Sequence, residues 1–408
     1  MNFASAVQSD QRASLKDVAL RCRCCGGRST KHIYTVPSIP VHSCVLLETP
    51  EAARAFPRRD LELAFCEDCG FAFNYVFDEA AIGYSTNFEE SQHFSGTFNA
   101  FARSLARTIA EHCEIGGKRV LEIGCGKGEF LIELCEVGAA EGLGIDPGYR
   151  VDPERSPTEA AVEFIVDNFG PAYQGLSSDI ILCRHTLEHI PNSAEFIASI
   201  REMAGMDEDT WIVFETPDFG RVLGEGAFWD IYYEHCSYFS PGTHARLFRS
   251  HGFDVTDLSL VYDDQYIVQF AKPSRSPTRA QLLLEDDLEM LVAAAEAFPR
   301  KVHAQIEHWG NQVSDAHASG RRVVLWGGGS KAVSFLTTLG LGEAIDAAVD
   351  INPYKQGRYT PGTGHPVIAP ETLVACPPDL VVVMNPIYRD EVGKALLELG
   401  LKPDVVTV

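Results

Sequence analysis

Arg119-Val-Leu-Glu-Ile-Gly-Cys-Gly-Lys-Gly-Glu129 is the stretch of the sequence that decides the fold. Its pattern predicts a buried strand over residues 120–123, a tight turn at Gly124, Gly126 and Gly128, and a helix over residues 129–137. A strand, a glycine turn and a helix in this order form the first unit of a doubly wound α/β domain. Because glycine has no Cβ, its backbone can approach an adenosine ligand closely, and we expect a nucleotide-like ligand at this turn.

The charges around the turn indicate which ligand it binds. The dinucleotide fingerprint needs a glycine at position 129, where this chain has Glu129. A pyrophosphate at the start of the helix would be repelled by Glu129 and by Glu122, whereas a sulfonium cation would be attracted. The pattern therefore favours S-adenosylmethionine over NAD as the cofactor. The alternative is that the glycines only join a strand to a helix.

Polar residues at the ends of the following predicted strands fit the same cofactor. Asp146 ends the second strand, 20 residues after Gly126, where a carboxylate can accept hydrogen bonds from both ribose hydroxyls. Two polar residues end the third strand and suit the adenine edge, and a histidine follows the fourth strand, predicted over residues 179–183. Ligands of open parallel sheets bind at these carboxyl ends. The predicted cofactor-binding residues are therefore Glu122, Gly124, Gly126, Gly128, Asp146, Asp167, Asn168 and His185.

Length and composition limit the class of protein. The 408 residues are enough for two or three domains, and the formal charge of −23 disfavours nucleic acid as a partner because it repels a phosphate backbone. The sequence has no apolar run long enough for a membrane helix, and residues 1–19 lack the apolar region of a secretory signal. Twelve cysteines in such a chain indicate a reducing compartment. We expect a cytoplasmic monomer or small homo-oligomer that acts on a small molecule, without nucleic-acid or membrane partners.

Two CxxC pairs near the amino terminus predict a metal site. Cys22 and Cys25 form one pair, Cys66 and Cys69 form the other, and a glycine follows each. Four thiolates in two such turns match the closed tetrahedral site that structural Zn²⁺ prefers, with no position open for catalysis. The 40 residues between the pairs require an inserted loop, which costs little entropy. A redox-active CxxC is the competing interpretation.

The chain divides into three predicted units. Residues 1–77 form a small zinc-binding module, residues 78–272 form the methyltransferase-type cofactor domain with a connector, and residues 273–408 form a Rossmann-like unit after a proline-rich linker. Residues 282–317 are predicted to be a long amphipathic helix that breaks near Pro299. In the third unit a strand over residues 322–326 leads into a glycine turn at 327–329, and Asp350 follows Gly328 by 22 residues. This spacing fits either a nucleotide site, with Lys331 at a phosphate, or a purely structural unit.

The segment Phe228-Trp-Asp-Ile-Tyr-Tyr-Glu-His-Cys-Ser-Tyr-Phe-Ser240 is dense in aromatic and titratable residues. Methyl transfer to carbon needs a base that removes a proton and donors that hold the enolate. His235 can be the base near neutral pH, Glu234 can orient it, and Tyr233 can donate to an oxyanion. The alternative is that these side chains are buried hydrogen-bonding residues without a catalytic role.

Taken together, these motifs resemble the zinc-containing sugar C-methyltransferases that act on nucleotide-linked 4-keto-deoxysugars. The matching stretches are Cys22/Cys25 with Cys66/Cys69, Glu122-Ile-Gly-Cys-Gly126, His185-Thr-Leu-Glu-His189, Tyr233-Glu-His235, Tyr238-Phe-Ser240, Asp350-Ile-Asn-Pro353, Gly357-Arg-Tyr-Thr-Pro-Gly-Thr363 and Asn385-Pro-Ile-Tyr388. The resemblance covers nearly the whole chain. It implies a zinc module, a central class I methyltransferase domain with a Rossmann-like fold and a Rossmann-like substrate domain.

The resemblance also implies a mechanism and a set of site residues. A base removes the proton beside a ketone, and the methyl group then passes from sulfur to the enolate carbon. His235 corresponds to the base, and the substrate is surrounded by Glu234, Tyr233, His185 and Tyr84. The implied substrate-binding residues of the third unit are Lys331, Asn352, Lys355, Arg358, Tyr359 and Asn385. Two positions depart from the family pattern: Phe88 replaces a second connector tyrosine, and the turn at 327–333 differs from the commoner form. Both lie on the implied substrate side, so they bear on which acceptor is methylated.

Three other functions are compatible with parts of the pattern. One is a methyltransferase of the same architecture that acts at oxygen or nitrogen of another natural-product precursor. A second is a zinc-stabilised protein that only binds metabolites. A third is an oxidoreductase that binds NAD at residues 327–329, for which the sequence offers no set of residues on the hydride side.

Overall fold

The structure is a computed structural model that describes residues 16–17, 20–83, 88–151, 161–205, 208–278 and 280–408. The strands are β1 (Lys16–Asp17), β2 (Thr30–Pro40), β3 (Arg58–Cys66), β4 (Ala72–Asn74), β5 (Arg119–Ile123), β6 (Glu141–Ile145), β7 (Ala161–Ile165), β8 (Ile180–Arg184), β9 (Trp211–Pro217), β10 (Ser237–Tyr238), β11 (Phe253–Val261), β12 (Tyr266–Pro273), β13 (Val323–Trp326), β14 (Ala347–Val349), β15 (Val367–Ile368), β16 (Leu380–Val383) and β17 (Asp404–Thr407). The α-helices are α1 (Pro50–Arg54), α2 (Gly96–His112), α3 (Glu129–Glu136), α4 (Ser193–Ala204), α5 (Phe219–Glu225), α6 (Pro241–Ser250), α7 (Leu288–Ala318), α8 (Ser330–Leu339) and α9 (Arg389–Glu398). These elements build three sheets.

The central sheet has the strand order β11-β12-β9-β8-β5-β6-β7. Strands β5 to β9 pair in parallel, and β12 is antiparallel to both of its neighbours. Every residue of β8 is buried, as expected for a strand that helices cover on both faces. The strand predicted over residues 120–123 is β5, and the helix predicted over residues 129–137 is α3. This agreement confirms the doubly wound α/β fold. Strand β12 lies between β9 and β11 and runs antiparallel to both, which distinguishes this sheet from the all-parallel dinucleotide-binding order.

The carboxy-terminal sheet is smaller and entirely parallel, with the order β15-β14-β13-β16-β17. Strand β13 lies at its centre and leads into the glycine turn at residues 327–329, after which α8 begins at Ser330. The carboxyl ends of the parallel strands β13 and β14 lie side by side, so this turn and Asp350, which directly follows β14, lie close together. This arrangement confirms the predicted Rossmann-like fold of the third unit.

The amino-terminal sheet is antiparallel and has the order β1-β2-β3-β4-β10. Its last strand comes from the aromatic segment at 228–240, which therefore joins the cofactor domain to the amino-terminal module. One continuous hydrophobic core then runs from this sheet through α5 and α7 into the carboxy-terminal unit. The boundaries at residues 77 and 272 stay predictions.

The expected break at Pro299 is wrong, because α7 is one helix of 31 residues with Pro299 inside it. A proline removes one backbone hydrogen bond from a helix and normally bends or ends it. Here Leu291, Ala295, Phe298 and Val302 are all buried around that position, and their packing holds the helix together. Among the residues that the structure describes, no helix is both long enough and apolar enough to cross a membrane.

Candidate functional site

A cavity of about 950 Å³ lies at the carboxyl ends of the central strands. One wall is the glycine turn after β5, a second is the segment from Asp230 to Tyr238, and a third is the glycine turn of the carboxy-terminal sheet. The connector over residues 88–95 lies along its rim. The cavity therefore joins the two glycine turns that the sequence predicts as ligand sites.

The first glycine turn requires glycine for steric reasons. Gly124 and Gly128 have φ angles of +72° and +74°, which disfavour residues with a side chain. A Cβ on Gly128 would lie 2.3 Å from the ring of Phe164. Asp146 accepts hydrogen bonds from the backbone N–H of Gly126 at 2.9 Å and of Gly148 at 2.7 Å. These bonds fix the Asp146 carboxylate beside the turn, where the sequence predicts it.

Glu122 supports a cationic ligand at this turn. Its side chain is buried, it lines the cavity, and its Oε2 has no hydrogen-bond partner among the described residues. Burial raises the pKa of Glu122 to about 8, and Asp146 and Glu215 add to this while Arg184 opposes it. A buried carboxylate without a partner is costly, and a ligand ammonium or sulfonium group would relieve that cost. The carboxylates of Glu122 and Asp146 beside the glycine turn therefore fit S-adenosylmethionine.

Glu129, whose charge favours a sulfonium in the sequence, and the two polar residues predicted for the adenine edge lie in different places. Glu129 accepts a hydrogen bond from Ser91 Oγ at 2.9 Å and faces His93 of the connector, so its charge is directed there. Asn168 lines the cavity. Asp167 is exposed outside it, where it accepts hydrogen bonds from Tyr173 Oη at 2.6 Å and from the N–H of Asn168 at 2.8 Å. The prediction of Asp167 as an adenine ligand is not supported by this position.

The connector is fastened across the cavity by Glu89. This buried carboxylate accepts hydrogen bonds from Lys127 Nζ at 2.7 and 2.8 Å, from an Arg150 guanidinium nitrogen at 2.5 Å and from Asn352 Nδ2 at 3.0 Å. It therefore ties the first glycine turn to the carboxy-terminal unit. Tyr84, which the sequence places near the substrate, lies outside the described residues.

His185 carries a positive charge at the end of β8. Its φ of +48° is strained for a residue with a side chain, a feature that clusters at functional sites. Nδ1 lies 3.4 Å from Glu188 Oε1, and Nε2 lies 3.3 Å from Glu215 Oε1. Burial opposes the charge, but the two carboxylates outweigh it and raise the pKa of His185 to about 9. His185 is therefore suited to stabilise negative charge and not to act as a base.

His235 is the neutral imidazole of the cavity. Burial and the neighbouring His189 lower the pKa of His235 to about 4. The His235 ring makes edge-to-face contacts with the rings of His189 and Tyr232, with centroid distances of 4.7 and 4.6 Å. Ligand atoms of Glu188, His189 and His235 all lie within 4.8 Å of one another. A carboxylate is thus close enough to stabilise His235 when it takes up a proton.

Tyr233 does not reach the cavity, which corrects the prediction that it contacts the substrate. It is fully buried in the hydrophobic core, its Oη accepts a hydrogen bond from the N–H of Asp78 at 2.8 Å, and its ring packs on Phe77. Tyr232 lines the cavity instead and donates a hydrogen bond to Asp230 Oδ1 at 2.9 Å. The two adjacent tyrosines face different environments, and the chain turns at residues 233 and 234.

Glu234 lines the cavity, but its partners are residues of the amino-terminal module. Its Oε2 lies 3.1 Å from His42 Nδ1 and accepts a hydrogen bond from the N–H of Ser43 at 2.9 Å, while Oε1 accepts one from Ser43 Oγ. Burial alone would raise the pKa of Glu234, but these donors outweigh it and hold the pKa below its ordinary value. His42 and Ser43 were missed in the sequence, since 191 residues separate Ser43 from Glu234 and no local pattern links them.

Lys331 lines the cavity, as the sequence predicts, but it is paired with a carboxylate of the protein. It donates to Asp230 Oδ1, and Arg221 donates to the other oxygen of Asp230 at 2.5 Å. Lys355 lies at the glycine turn instead, with Nζ 3.7 Å from Asp350 Oδ2. Asp350 accepts a hydrogen bond from the N–H of Gly328 at 2.8 Å, which repeats the arrangement of Asp146 in the central domain.

The remaining predicted substrate residues fall into two groups. Asn352 and Asn385 line the cavity, and Asn385 exchanges two amide hydrogen bonds with Gln265 at 3.0 and 2.9 Å. Arg358 forms an ion pair with Glu48, and Tyr359 pairs through its backbone with Leu47. Neither Arg358 nor Tyr359 is among the described residues that line the cavity. The structure therefore does not bring these two to the site.

The four predicted metal ligands form one cluster. Cys22 and Cys69 have their Sγ atoms 3.7 Å apart, as do Cys25 and Cys66. All four sulfur atoms lie within 4.8 Å of one another. Zn–S bonds of about 2.3 Å in a tetrahedron place sulfur atoms about 3.8 Å apart, which agrees with this spacing. The cluster is therefore compatible with a bound metal ion.

Comparisons with known proteins place the chain in a family. A model described as "Methyltransferase domain" matches residues 94–258, and one described as "C-methyltransferase C-terminal domain" matches residues 269–400. The C-methyltransferase NovU of Streptomyces niveus is 25% identical over 93% of each chain. A ubiquinone biosynthesis O-methyltransferase of Burkholderia vietnamiensis is 30% identical over 38% of this chain and 69% of its own.

Solved methyltransferase structures are also similar to part of the chain. Magnesium protoporphyrin IX methyltransferase from Synechocystis PCC 6803 with bound S-adenosylhomocysteine is 16% identical, with a TM-score of 0.33, and covers 44% of this chain and 84% of its own. The family models and NovU confirm a methyltransferase, so the prediction of an enzyme holds and the non-catalytic alternative does not. The chain belongs to the S-adenosylmethionine-dependent methyltransferases, and in it a region that matches a methyltransferase domain precedes one that matches a C-methyltransferase C-terminal domain.

Proposed function

We propose that the protein methylates the carbon next to the ketone of a nucleotide-linked 4-keto-deoxysugar, through an enolate. The observation that carries this proposal is the neutral His235 ring in a cavity that extends to both glycine turns. The cavity volume of about 950 Å³ lies at the upper end of ligand pockets, as two large ligands require. The substrate class, a nucleotide-linked keto sugar, is taken from the resemblance of the motifs to sugar C-methyltransferases.

The cofactor end of the cavity is formed by Glu122, Asp146 and the turn that begins at Gly124. S-adenosylmethionine, when bound, supplies a methyl group activated by a sulfonium charge. Asp146 is fixed by two backbone N–H groups and keeps lone pairs for ribose hydroxyls. Glu122 offers its unpartnered oxygen to the cationic groups. These roles follow from charge complementarity.

The chemistry is assigned to three residues. His235 removes the proton next to the ketone, because a pKa of about 4 leaves its ring unprotonated at neutral pH. Glu188 lies within the same cluster and stabilises the imidazolium that results. His185, charged at neutral pH, stabilises the enolate oxygen. Tyr232 replaces Tyr233 as the tyrosine that contacts the substrate.

The nucleotide end is assigned to the carboxy-terminal glycine turn. Lys355 lies there, and the first residues of α8, which has no side-chain cap, line the cavity. A helix N-terminus together with a lysine is a common phosphate site. Asp350 is placed to accept a hydrogen bond from a ribose, as Asp146 is in the central domain. Lys331 takes no part, since Asp230 neutralises it.

A structural Zn²⁺ in the four-cysteine cluster completes the proposal. All four ligands come from the protein, so no position is open for substrate and the ion has no catalytic role. The cluster is docked on α6, where Thr243 Oγ1 donates to the carbonyl of Cys69 at 3.0 Å. The ion would therefore fix the amino-terminal module against the cofactor domain.

The proposal is tested by incubating the protein with S-adenosylmethionine and a thymidine-diphosphate 4-keto-deoxysugar. Mass spectrometry is expected to show a product heavier by one methylene, and NMR is expected to show the new methyl group on a ring carbon. The His235→Gln variant is expected to lose this product, while His308→Gln, a change on the outer part of α7, keeps it. A methyl group on oxygen or nitrogen would overturn the proposal.

The second candidate is methyl transfer to oxygen of another small precursor. It is favoured by the Burkholderia relatives, which are named ubiquinone biosynthesis O-methyltransferase and match 38% of this chain. Such a reaction depends less on a base next to carbon. Near-full turnover of the His235→Gln variant would therefore favour this candidate.

A further inference from the structure

A loop of the amino-terminal module reaches into the catalytic cavity. It connects β2 with α1, and His42 and Ser43 lie at its start. The side chain of His42 is only 5% exposed and that of its partner Glu234 only 2%. Three donors converge on the Glu234 carboxylate, namely His42 Nδ1 and the N–H and Oγ of Ser43. A carboxylate buried to this degree needs such partners to stay ionised.

The hydrogen bonds also fix the tautomer of His42. The N–H of Gly83 lies 3.3 Å from His42 Nε2, and because a backbone N–H can only donate, Nε2 must carry the lone pair. The proton of the neutral ring is then on Nδ1, which donates to Glu234 Oε2. His42 thus joins Gly83, which lies within the connector predicted over residues 78–95, to a carboxylate that lines the cavity.

The same loop contacts the carboxy-terminal glycine turn. Ser43 Oγ lies 2.7 Å from the Oγ of Ser330, the first residue of α8. The next residue of the loop, Cys44, places its Sγ 3.3 Å from the same oxygen. The loop is therefore held between Glu234 on the methyltransferase side and α8 on the nucleotide side.

We propose that His42 is a positioning residue, which holds the Glu234 carboxylate in one orientation and in its ionised form against the substrate. The inference rests on the proposed function and adds to it that Glu234, which lines the cavity next to His235, contacts the acceptor. His42 acts through Glu234 and does not itself touch the reacting atoms. The amino-terminal module then has a role in catalysis besides its metal cluster, because it supplies the donors that complete the cavity.

Two amide substitutions at position 42 separate this role from a general effect on folding. In His42→Asn the amide nitrogen takes the place of Nδ1 and can donate to Glu234, but no acceptor reaches the N–H of Gly83. In His42→Gln the longer side chain brings an amide oxygen to the N–H of Gly83 but no longer donates to Glu234, which keeps only the two donors of Ser43. Each variant therefore keeps one of the two hydrogen bonds.

The expected result is a difference in kcat between the two variants. His42→Gln is expected to lose about 100-fold in kcat, with KM within about twofold of the original value, since misplacing a catalytic group by about 1 Å costs that much. His42→Asn is expected to stay within about threefold. The thermal unfolding midpoints of the two variants are expected to agree. Equal kcat values for the two variants, or full activity of His42→Gln, would overturn the proposal.

A second readout does not depend on activity. Carbon-13 NMR of glutamate-labelled protein, assigned with Glu234→Gln, is expected to show the Glu234 carboxylate taking up its proton at a higher pH in His42→Gln than in the original protein and in His42→Asn. The titratable groups that face Glu234 are His42, Cys44, His189, His235 and Tyr238. If the original protein methylates no keto sugar, the proposed function fails. An unchanged Glu234 signal in His42→Gln contradicts the positioning role separately.

Discussion

Glu122 makes a quantitative prediction about cofactor binding. Its pKa of about 8 means that the side chain is mostly protonated at neutral pH before the cofactor binds. With that pKa, about a tenth of the molecules carry the charge at pH 7 and about a hundredth at pH 6. The cationic groups of S-adenosylmethionine need the ionised form, so binding lowers the pKa and releases a proton. Affinity is therefore expected to rise about tenfold per pH unit between pH 6 and pH 7 and to level off above pH 8.

The Glu122→Gln variant tests this prediction. It is expected to bind the cofactor about 10- to 100-fold more weakly at pH 8.5, because a hydrogen bond to a charged group contributes about 1.5–3 kcal/mol. It is also expected to lose the pH dependence. Calorimetry at pH 6.5 in two buffers with different ionisation enthalpies measures the protons released, close to one in the original protein and close to zero in the variant. Glu136→Gln, which removes a carboxylate at the end of α3 outside the cavity, is the matched control and is expected to release as many protons as the original. Equal proton release in the original protein and in Glu122→Gln would refute the reasoning.

Three further predictions test other parts of the site. Lys355→Met is expected to raise KM for the nucleotide-linked substrate about 10- to 100-fold, whereas Lys331→Met changes KM less than about threefold, which steady-state kinetics would show. Gly128→Ala is expected to abolish cofactor binding in calorimetry, because the new Cβ would meet an aromatic ring at 2.3 Å, while Gly116→Ala, with nothing within 4 Å, binds normally. Elemental analysis is expected to find about one zinc per chain, and much less in Cys66→Ser, whose unfolding midpoint falls. Unchanged zinc content in that variant would contradict the metal site.

The features that could be predicted from sequence depend on short stretches of chain. The turn at Gly124 to Gly128 is local, because glycine spacing and one flanking strand determine it. Asp146 and Asp350 follow buried strands directly, so the carboxyl-end rule of parallel sheets places them correctly. The cysteine pairs are also local, and their sulfur atoms meet as expected. In each case the signal lies within a few residues of the feature.

The features that could not be predicted depend on contacts between distant residues. Tyr232 and Tyr233 are adjacent, and only the packing of the segment decides that Tyr233 enters the core. Lys331 is neutralised by a residue 101 positions away, which no spacing rule reveals. The donors from the loop at His42 are 191 and 192 positions away in sequence from the carboxylate they bind. Each of these outcomes follows from burial, which forces a charged or polar group to find a partner wherever the fold provides one.

The central claim is that the protein activates a carbon next to a ketone, with His235 as the base. Solvent exchange tests it without methyl transfer. With S-adenosylhomocysteine bound and the keto sugar in D₂O, NMR is expected to show loss of the proton next to the ketone in the original protein and no enzyme-dependent loss in His235→Gln. Retention of that proton by the original protein, while it still methylates the sugar, would contradict the account.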